Sequence, residues 1–190
     1  MFKKYRLQVL LFASFLTFSG CDFFGLFKSS SSSTQTTSLH GMQEYNPQRD
    51  KPFIEKQFKE NWYWLISSPE YDIHDMLDTR SPNKYEPQNR GKLSVKVLYK
   101  EGTPVGFVTY YMQSTIKGHL FILGVDKQQR KKGYGTELSN YAFAELKKMG
   151  AKVISFVTRI NNPGAQKLYT SLGFKETYRD DIFVHYRKDV

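Results

Sequence analysis

Cysteine is almost missing from this chain. Cys21 is the only one among 190 residues, which excludes an intrachain disulfide framework and any zinc site built from several thiolates. Acidic side chains are in deficit, 18 against 28 Lys and Arg. The surplus favours anionic partners such as nucleic acid, acidic lipid or a phosphorylated cofactor, although a solvated basic surface accounts for it equally well. No internal repeat is present. The one long apolar run, near the N-terminus, is too short for a comfortable membrane span. What is there suffices for a core: 39% hydrophobic and 16% aromatic residues argue against wholesale disorder. The length suits one domain plus a targeting or linker segment.

Lys3, Lys4 and Arg6 precede the apolar run "LQVLLFASFLTF", and the small residues Ser19 and Gly20 stand just before Cys21. That is the three-part layout of a secretory signal peptide. An uncleaved anchor, or a buried apolar helix beside an accidental cysteine, are the plain alternatives. The "FSGC" ending resembles the lipobox of bacterial lipoproteins, with Phe18 where such boxes more often carry Leu. The resemblance implies cleavage after residue 20, diacylation of Cys21 and a membrane partner. Asp22 resembles the signal that keeps some lipoproteins in the inner membrane; without a working signal the protein is expected in the cytoplasm. "KSSSSSTQTTS" is polar and of low complexity, a flexible tether with nothing to bury. The expected organisation is therefore a signal over 1–20, lipidated Cys21, a tether over 22–38 and a folded domain over 39–190. Losing residues 1–20 removes three cations and leaves 25 basic against 18 acidic residues.

Within the domain, "LHGMQEY" reads as a first strand and "NPQRD" as a turn. Phe53, Ile54, Phe58, Trp62 and Leu65 fall at helical spacing, with Pro52 in the first turn. "PEYDIHDMLDTR" predicts a shorter helix and "SPNKYEPQNRG" a loop. "KLSVKVLYK" and "VGFVTYYMQ" alternate as strands joined through "EGTP". "HLFILGV" predicts a strand buried on both faces. A helix over Gly135–Met149, closed by Gly150, carries Leu138, Tyr141, Ala142, Glu145 and Leu146 in register. "KVISFVT", "PGAQKLYTSLG", "FKETYRD" and "IFVHYRK" then read as strand, helix and a strand pair. The economical architecture is one mixed α/β sheet, antiparallel in its first half.

Between the third of these long strands and its helix lies "RKKGYGTEL". Glycines at such a turn let the backbone approach a ligand, and the first helical N–H groups, at the positive end of the dipole, lack intrahelical partners. Main-chain amides there can hold phosphate, with Arg130, Lys131 and Lys132 adding charge. Two phosphate signatures are missing. A Walker loop needs Gly-Lys-Ser/Thr after four spacers, and a dinucleotide fingerprint needs a third glycine where Leu138 stands.

The wider context is more specific. "VDKQQRKKGYG" resembles the Val-x-Pro-x-x-Arg/Gln-Gly-x-Gly-x-Gly signature of the GNAT superfamily of acyl-CoA N-acyltransferases at Val125, Arg130, Gly133 and Gly135. "NNPGAQKLYTSLGF" resembles its second hallmark, matching at Asn162, Ala165, Leu168, Tyr169, Gly173 and Phe174. The likeness covers roughly Leu39 to the C-terminus. Lys127 replaces the usual proline and Lys131 a glycine; a left-handed backbone at Lys131 would cost roughly 1 kcal/mol relative to glycine.

The resemblance implies an α/β GNAT-type fold whose fourth and fifth strands splay around acyl-CoA. It implies acetyl-CoA as co-substrate, no metal, and a small-molecule or peptide amine as acceptor, and it admits a homodimer. Main-chain groups near Leu123 and Val125 are expected to pair with the pantetheine arm. Amides of Lys131, Lys132, Gly133, Tyr134, Gly135 and Thr136 are expected to hold the pyrophosphate, with Arg130 beside them. Asn162 is expected to orient the second motif or contact CoA. A neutral amine then attacks the thioester, an oxyanion develops near a strand amide, and Tyr169 matches the family's general acid. A phenol near pKa ~10 faces a thiol near ~8.5, so either proton direction is open; a packed helix tyrosine is the plain alternative. His119 or Glu86 is the candidate base, with His119 placed on one strand face with Phe121 and Leu123, and a water relay would also serve. Nucleic acid is not an expected partner, because no helix presents a basic face. Export conflicts with the cytosolic supply of acetyl-CoA. Two resolutions follow: an enzyme whose signal does not work, or a tethered module of this fold with altered or lost catalysis.

Overall fold

A computed structural model of the chain describes residues 39–65, 72–81 and 91–190. The segment with Cys21 and Asp22, the Ser/Thr-rich stretch and Glu86 lie outside them. In chain order the elements are β1 (Gly41–Glu44), α1 (Pro47–Leu65), α2 (Ile73–Thr79), β2 (Ser94–Lys100), β3 (Thr103–Met112), β4 (Lys117–Val125), α3 (Tyr134–Lys148), β5 (Val153–Arg159), α4 (Pro163–Ser171), β6 (Lys175–Arg179) and β7 (Phe183–Asp189). The expected alternation of strands and helices is realised. The strands form one sheet in the order β1-β2-β3-β4-β5-β7-β6. Its described pairings are antiparallel except β4 with β5.

Asn46 decides where α1 begins. Its Oδ1 accepts from the Arg49 amide at 3.1 Å, and its own amide donates to Asp50 Oδ2 at 2.8 Å, a reciprocal cap. With Pro47 as first helical residue, "NPQRD" is the helix's opening turn rather than a separate loop. Pro52 consequently sits in the second turn. Asp50 is fully buried and also accepts from Arg49 Nε at 2.7 Å and the Tyr99 hydroxyl at 2.5 Å, which ties α1 to β2. Ile54 and Phe58 are buried as expected. Trp62 is not: at Asn61 the backbone leaves helical geometry (φ −135°, ψ 16°), the register breaks, and Trp62 is 52% exposed.

The β2–β3 hairpin is tighter than "EGTP" suggests. Glu101 and Gly102, both at positive φ, form a two-residue turn, and Thr103 and Pro104 already belong to β3. β4 alternates buried and half-buried residues instead of being buried on both faces. Its register against β3 jumps from Thr109 opposite Ile122 to Tyr110 opposite Leu120, so Phe121 is an extra, bulged residue. One extra residue swaps the faces beyond it. Leu120 joins the core under α3 and α4, with Tyr110, Leu138 and Phe156, while Ile122 joins the core under α1 and α2, with Ile54, Phe58 and Phe107. His119 and Phe121 both set their rings at an angle against Tyr111, but Leu123 packs against the opposite cluster. The expected shared face of His119, Phe121 and Leu123 is thus broken by the bulge. Full burial of each such side chain is worth roughly 1.5–3 kcal/mol, so both faces hold the sheet.

Candidate functional site

β4 and β5 run together only briefly. Lys117, Gly118 and His119 pair with Val153, Ile154 and Ser155, and there the described pairing stops. β5 carries on alongside β7 as far as Arg159 opposite Phe183. The bulge at Phe121 lies just past the last paired residue, and a bulge bends its strand. Between the separated strands opens a cleft of about 770 Å³, with Leu120–Val125 on one wall and Val157 and Thr158 on the other. Leu123 and Val125 lie on β4 beyond its last pair with β5 and line the cleft.

The glycine-containing turn stands at one end of it. Asp126 Oδ1 accepts from the Gln128 amide at 2.9 Å and starts a single 3-10 turn, Lys127–Gln129. Lys131 (φ 64°) and Gly133 (φ 84°) are both left-handed. No Cβ contact would arise at Gly133, so glycine is favoured there by its φ alone. For Lys131 the same conformation carries about 1–2 kcal/mol of strain. Gly133 caps α3 without a side-chain hydrogen bond, and Glu137 makes the first bond back, to the Gly133 carbonyl at 3.1 Å. The amides of Tyr134, Gly135 and Thr136 thus precede the helical ladder, where the dipole is positive. A Cβ on Gly135 would come 3.3 Å from Leu168, so this residue keeps α3 and α4 close. Arg130 and Lys131 are the charged residues lining the cleft. Lys132, just outside, is exposed and donates to Gln129 Oε1 at 2.9 Å. The electrostatics suit an anion.

The second motif is a helix with both ends fixed locally. Asn162 Oδ1 accepts from the Ala165 amide at 3.1 Å, and Pro163 takes the first helical position. At the other end Gly173 (φ 82°) allows its own amide to reach the Thr170 carbonyl and the Phe174 amide to reach that of Tyr169. That double closure explains the spacing of Tyr169, Gly173 and Phe174. It drops Phe174 into the core beside Phe156 and sets Tyr169 against Phe156 at 3.7 Å between ring centroids. Tyr169 is 5% exposed and lines the cleft. Burial alone pushes its phenol well above the usual range, so the hydroxyl keeps its proton at neutral pH.

His119 is placed elsewhere. It sits in the paired part of β4 with Nδ1 3.1 Å from Ser155 Oγ, outside the residues that line the cleft. Three cleft residues come from α1 instead: Asn61, Trp64 and Leu65. The stretches "NWYWLISSPEY" and "SPNKYEPQNRG" are expected as an acceptor wall; Asn61, Trp64 and Leu65 of the first line the cleft, while Ile66–Tyr71 and most of the second lie outside the described residues. Asn61 carries no signal in the sequence, because its place depends on the kink. Arg130 is committed too: Nε donates to the Val125 carbonyl at 3.1 Å and Nη2 to Asn61 Oδ1 at 2.8 Å. Among the described residues no group of three or more His, Cys, Asp or Glu could hold a metal.

With this geometry in hand, the likenesses to known proteins fall into place. The model of the acetyltransferase (GNAT) family matches residues 53–174. N-alpha-acetyltransferase 30 of Schizosaccharomyces pombe (strain 972 / ATCC 24843) is 32% identical over 69 residues, 35% of this chain and 46% of that protein. The match thus spans about half the length of that relative. A ribosomal-protein-alanine N-acetyltransferase from Brucella melitensis superposes with a TM-score of 0.61 at 18% identity, over 78% of this chain and 99% of that one. The NatC complex bound to Gag peptide and CoA gives 0.60 at 19%, over 78% and 97%. At such identities the structural likeness is one of fold.

Proposed function

The chain belongs to the acetyltransferase (GNAT) family, and on that premise we propose that it is an acetyl-CoA-dependent N-acetyltransferase that passes the acetyl group directly to an amine. The observation that carries this is the splay of β4 from β5 with the start of α3, ahead of its first helical hydrogen bond, at its end. Acetyl-CoA supplies an activated thioester. The amides of Lys131–Thr136 bind its diphosphate, with charge from Lys131 and Lys132. The edge of β4 at Leu123 and Val125 orients the pantetheine arm. Tyr169, protonated and facing the cleft, donates to the departing sulfur. Asn162 acts by capping the helix that carries Tyr169.

The acceptor to try first is an α-amine, the class in the name of the Schizosaccharomyces pombe relative. With pKa ~7.7–8.0 an α-amine is partly neutral at pH 7, whereas a lysine amine at ~10.4 needs a base. For its address we propose a cleaved signal and a lipidated Cys21, followed by the 22–38 tether; if the signal does not work, the enzyme stays in the cytoplasm with its acetyl-CoA. That address is tested separately, by labelling cells with a fatty acid and comparing Cys21→Ser.

Calorimetry of acetyl-CoA against the full chain tests the cofactor site, with Gly135→Glu as control. The variant sets a carboxylate among the helix amides and against Leu168. Micromolar binding that the variant abolishes is the expected result. A folded chain that gives no heat up to millimolar acetyl-CoA would leave only the tethered module.

A further inference from the structure

The last turn of α1 borders the cleft, and of its side chains Leu65 packs against the core under α1 and α2. Trp62, Tyr63 and Trp64 are 52%, 37% and 45% exposed. Polar ties fix the segment at both lips. On the β4 side, Arg130 donates to Asn61, whose own Nδ2 donates to the Gln57 carbonyl at 3.2 Å across the kink. On the β5 side, Arg159 donates from Nε to the Tyr63 carbonyl and lies over the Tyr63 ring at 4.0 Å, while Asn161 Nδ2 donates to the Tyr63 hydroxyl at 3.0 Å. Trp64 and Leu65 line the cleft below.

We propose that Arg130 is a positioning residue for the acceptor side: its guanidinium holds the kinked end of α1 as a strap bordering the cleft, in place of binding the diphosphate. The inference rests on the cleft being the acyl-CoA site. Nε and Nη2 form one edge of a planar fork, and that edge is spent on the Val125 carbonyl and Asn61 Oδ1. Lys131 and Lys132, exposed on the turn, remain to supply charge. The tie joins residues 69 apart in sequence, one on the cofactor turn and one on the acceptor helix. Gln57, buried, makes a parallel tie to Asp126 Oδ2 at 3.0 Å, which anchors the straight part of α1 and leaves the β4-side hold on the part beyond the kink to Arg130.

The chain has two tryptophans, Trp62 and Trp64, and both are in the strap. Two indole N–H resonances of the ¹⁵N-labelled full chain therefore report on it directly. Arg130→Gln, Arg130→Lys and Asn61→Ala should each shift both resonances, while the Kd for CoA by calorimetry stays within about threefold of the parent. Lysine should not rescue, since an ammonium cannot span both acceptors from one flat edge. The double variant Arg130→Gln/Asn61→Ala should shift them no further than either single one. Unmoved indoles would overturn the proposal. So would a CoA affinity at least about tenfold weaker in Arg130→Gln but retained in Arg130→Lys, the signature of a charge on the phosphate. If the parent binds no CoA yet the indoles move, the strap stands and the cofactor site falls.

Discussion

Tyr169 is a phenol whose environment keeps it an acid. Burial raises its pKa, so the protonated form persists past the ordinary value near ~10. Tyr169→Phe should lower kcat by roughly 100-fold or more while leaving the acetyl-CoA Kd unchanged. The rate should show no alkaline fall from this group below about pH 10; a limb near pH 8–9 that vanishes in the variant would refute the assignment. Lys131 tests a different property. It holds a left-handed φ of 64° without being glycine, so Lys131→Gly should raise stability to urea by about 1 kcal/mol. The same change should weaken CoA binding by removing a cation beside the diphosphate. The helix that carries Tyr169 was legible because its motif is local, residue 162 to residue 174. The position of His119 was not, since it follows from where β4 and β5 part.

The elements that carry the site are fixed at their ends. α4 is closed by Gly173 at φ 82°, and Gly173→Ala should cost about 1–2 kcal/mol and lower activity by loosening the helix that bears Tyr169. Denaturant unfolding alongside a rate measurement checks both effects. α1 is anchored at its start by Asp50. Burial raises this carboxyl's pKa, but the Arg49 guanidinium, the Asn46 amide and the Tyr99 hydroxyl outweigh that and hold it below the ordinary 3.8. The stability it contributes is therefore complete above the unfolded value and is lost as pH falls through the depressed folded one. Asp50→Asn should destabilise the protein by about 3 kcal/mol at pH 7 and make its acid unfolding less steep. A variant as stable as the parent would show that the packing of Ile54 and Phe58 alone seats α1. The caps at Asn46, Asp72 and Asn162 span only two or three residues each, yet "NPQRD" read as a separate turn, because a capped helix start and a turn draw on the same residue types. The kink at Asn61 could not be read in sequence, because its side chain answers to Arg130 and Gln57 rather than to its neighbours.

At the scale of the whole molecule, buried tyrosines set an alkaline limit. Burial and the nearby Asp50 push Tyr99 up to about 12, and burial drives Tyr110 and Tyr169 higher still. Below about pH 10 both folded and unfolded chains hold these protons and nothing is lost. Above it the unfolded chain releases them first, so stability should fall as pH rises towards the folded values. Urea midpoints measured from pH 9 to 12, with phenolate absorbance followed in parallel, check the sign and the window. Sequence by itself determined what lies within a turn or so of each residue: the caps, the left-handed glycines, the strand alternation, and the two motifs that resemble acyl-CoA transferases. These are choices of backbone angle and of hydrogen bonds spanning three to five residues, and residue type settles them. Only the tertiary structure decided the rest. One bulged residue, Phe121, turned Leu123 away from the face of His119, and the end of the β4–β5 pairing opened the cleft. Arg130 met Asn61 across 69 residues, and Asn161 met Tyr63 across 98. Contacts of that range depend on register across the whole sheet, which a single inserted residue shifts and no local pattern records.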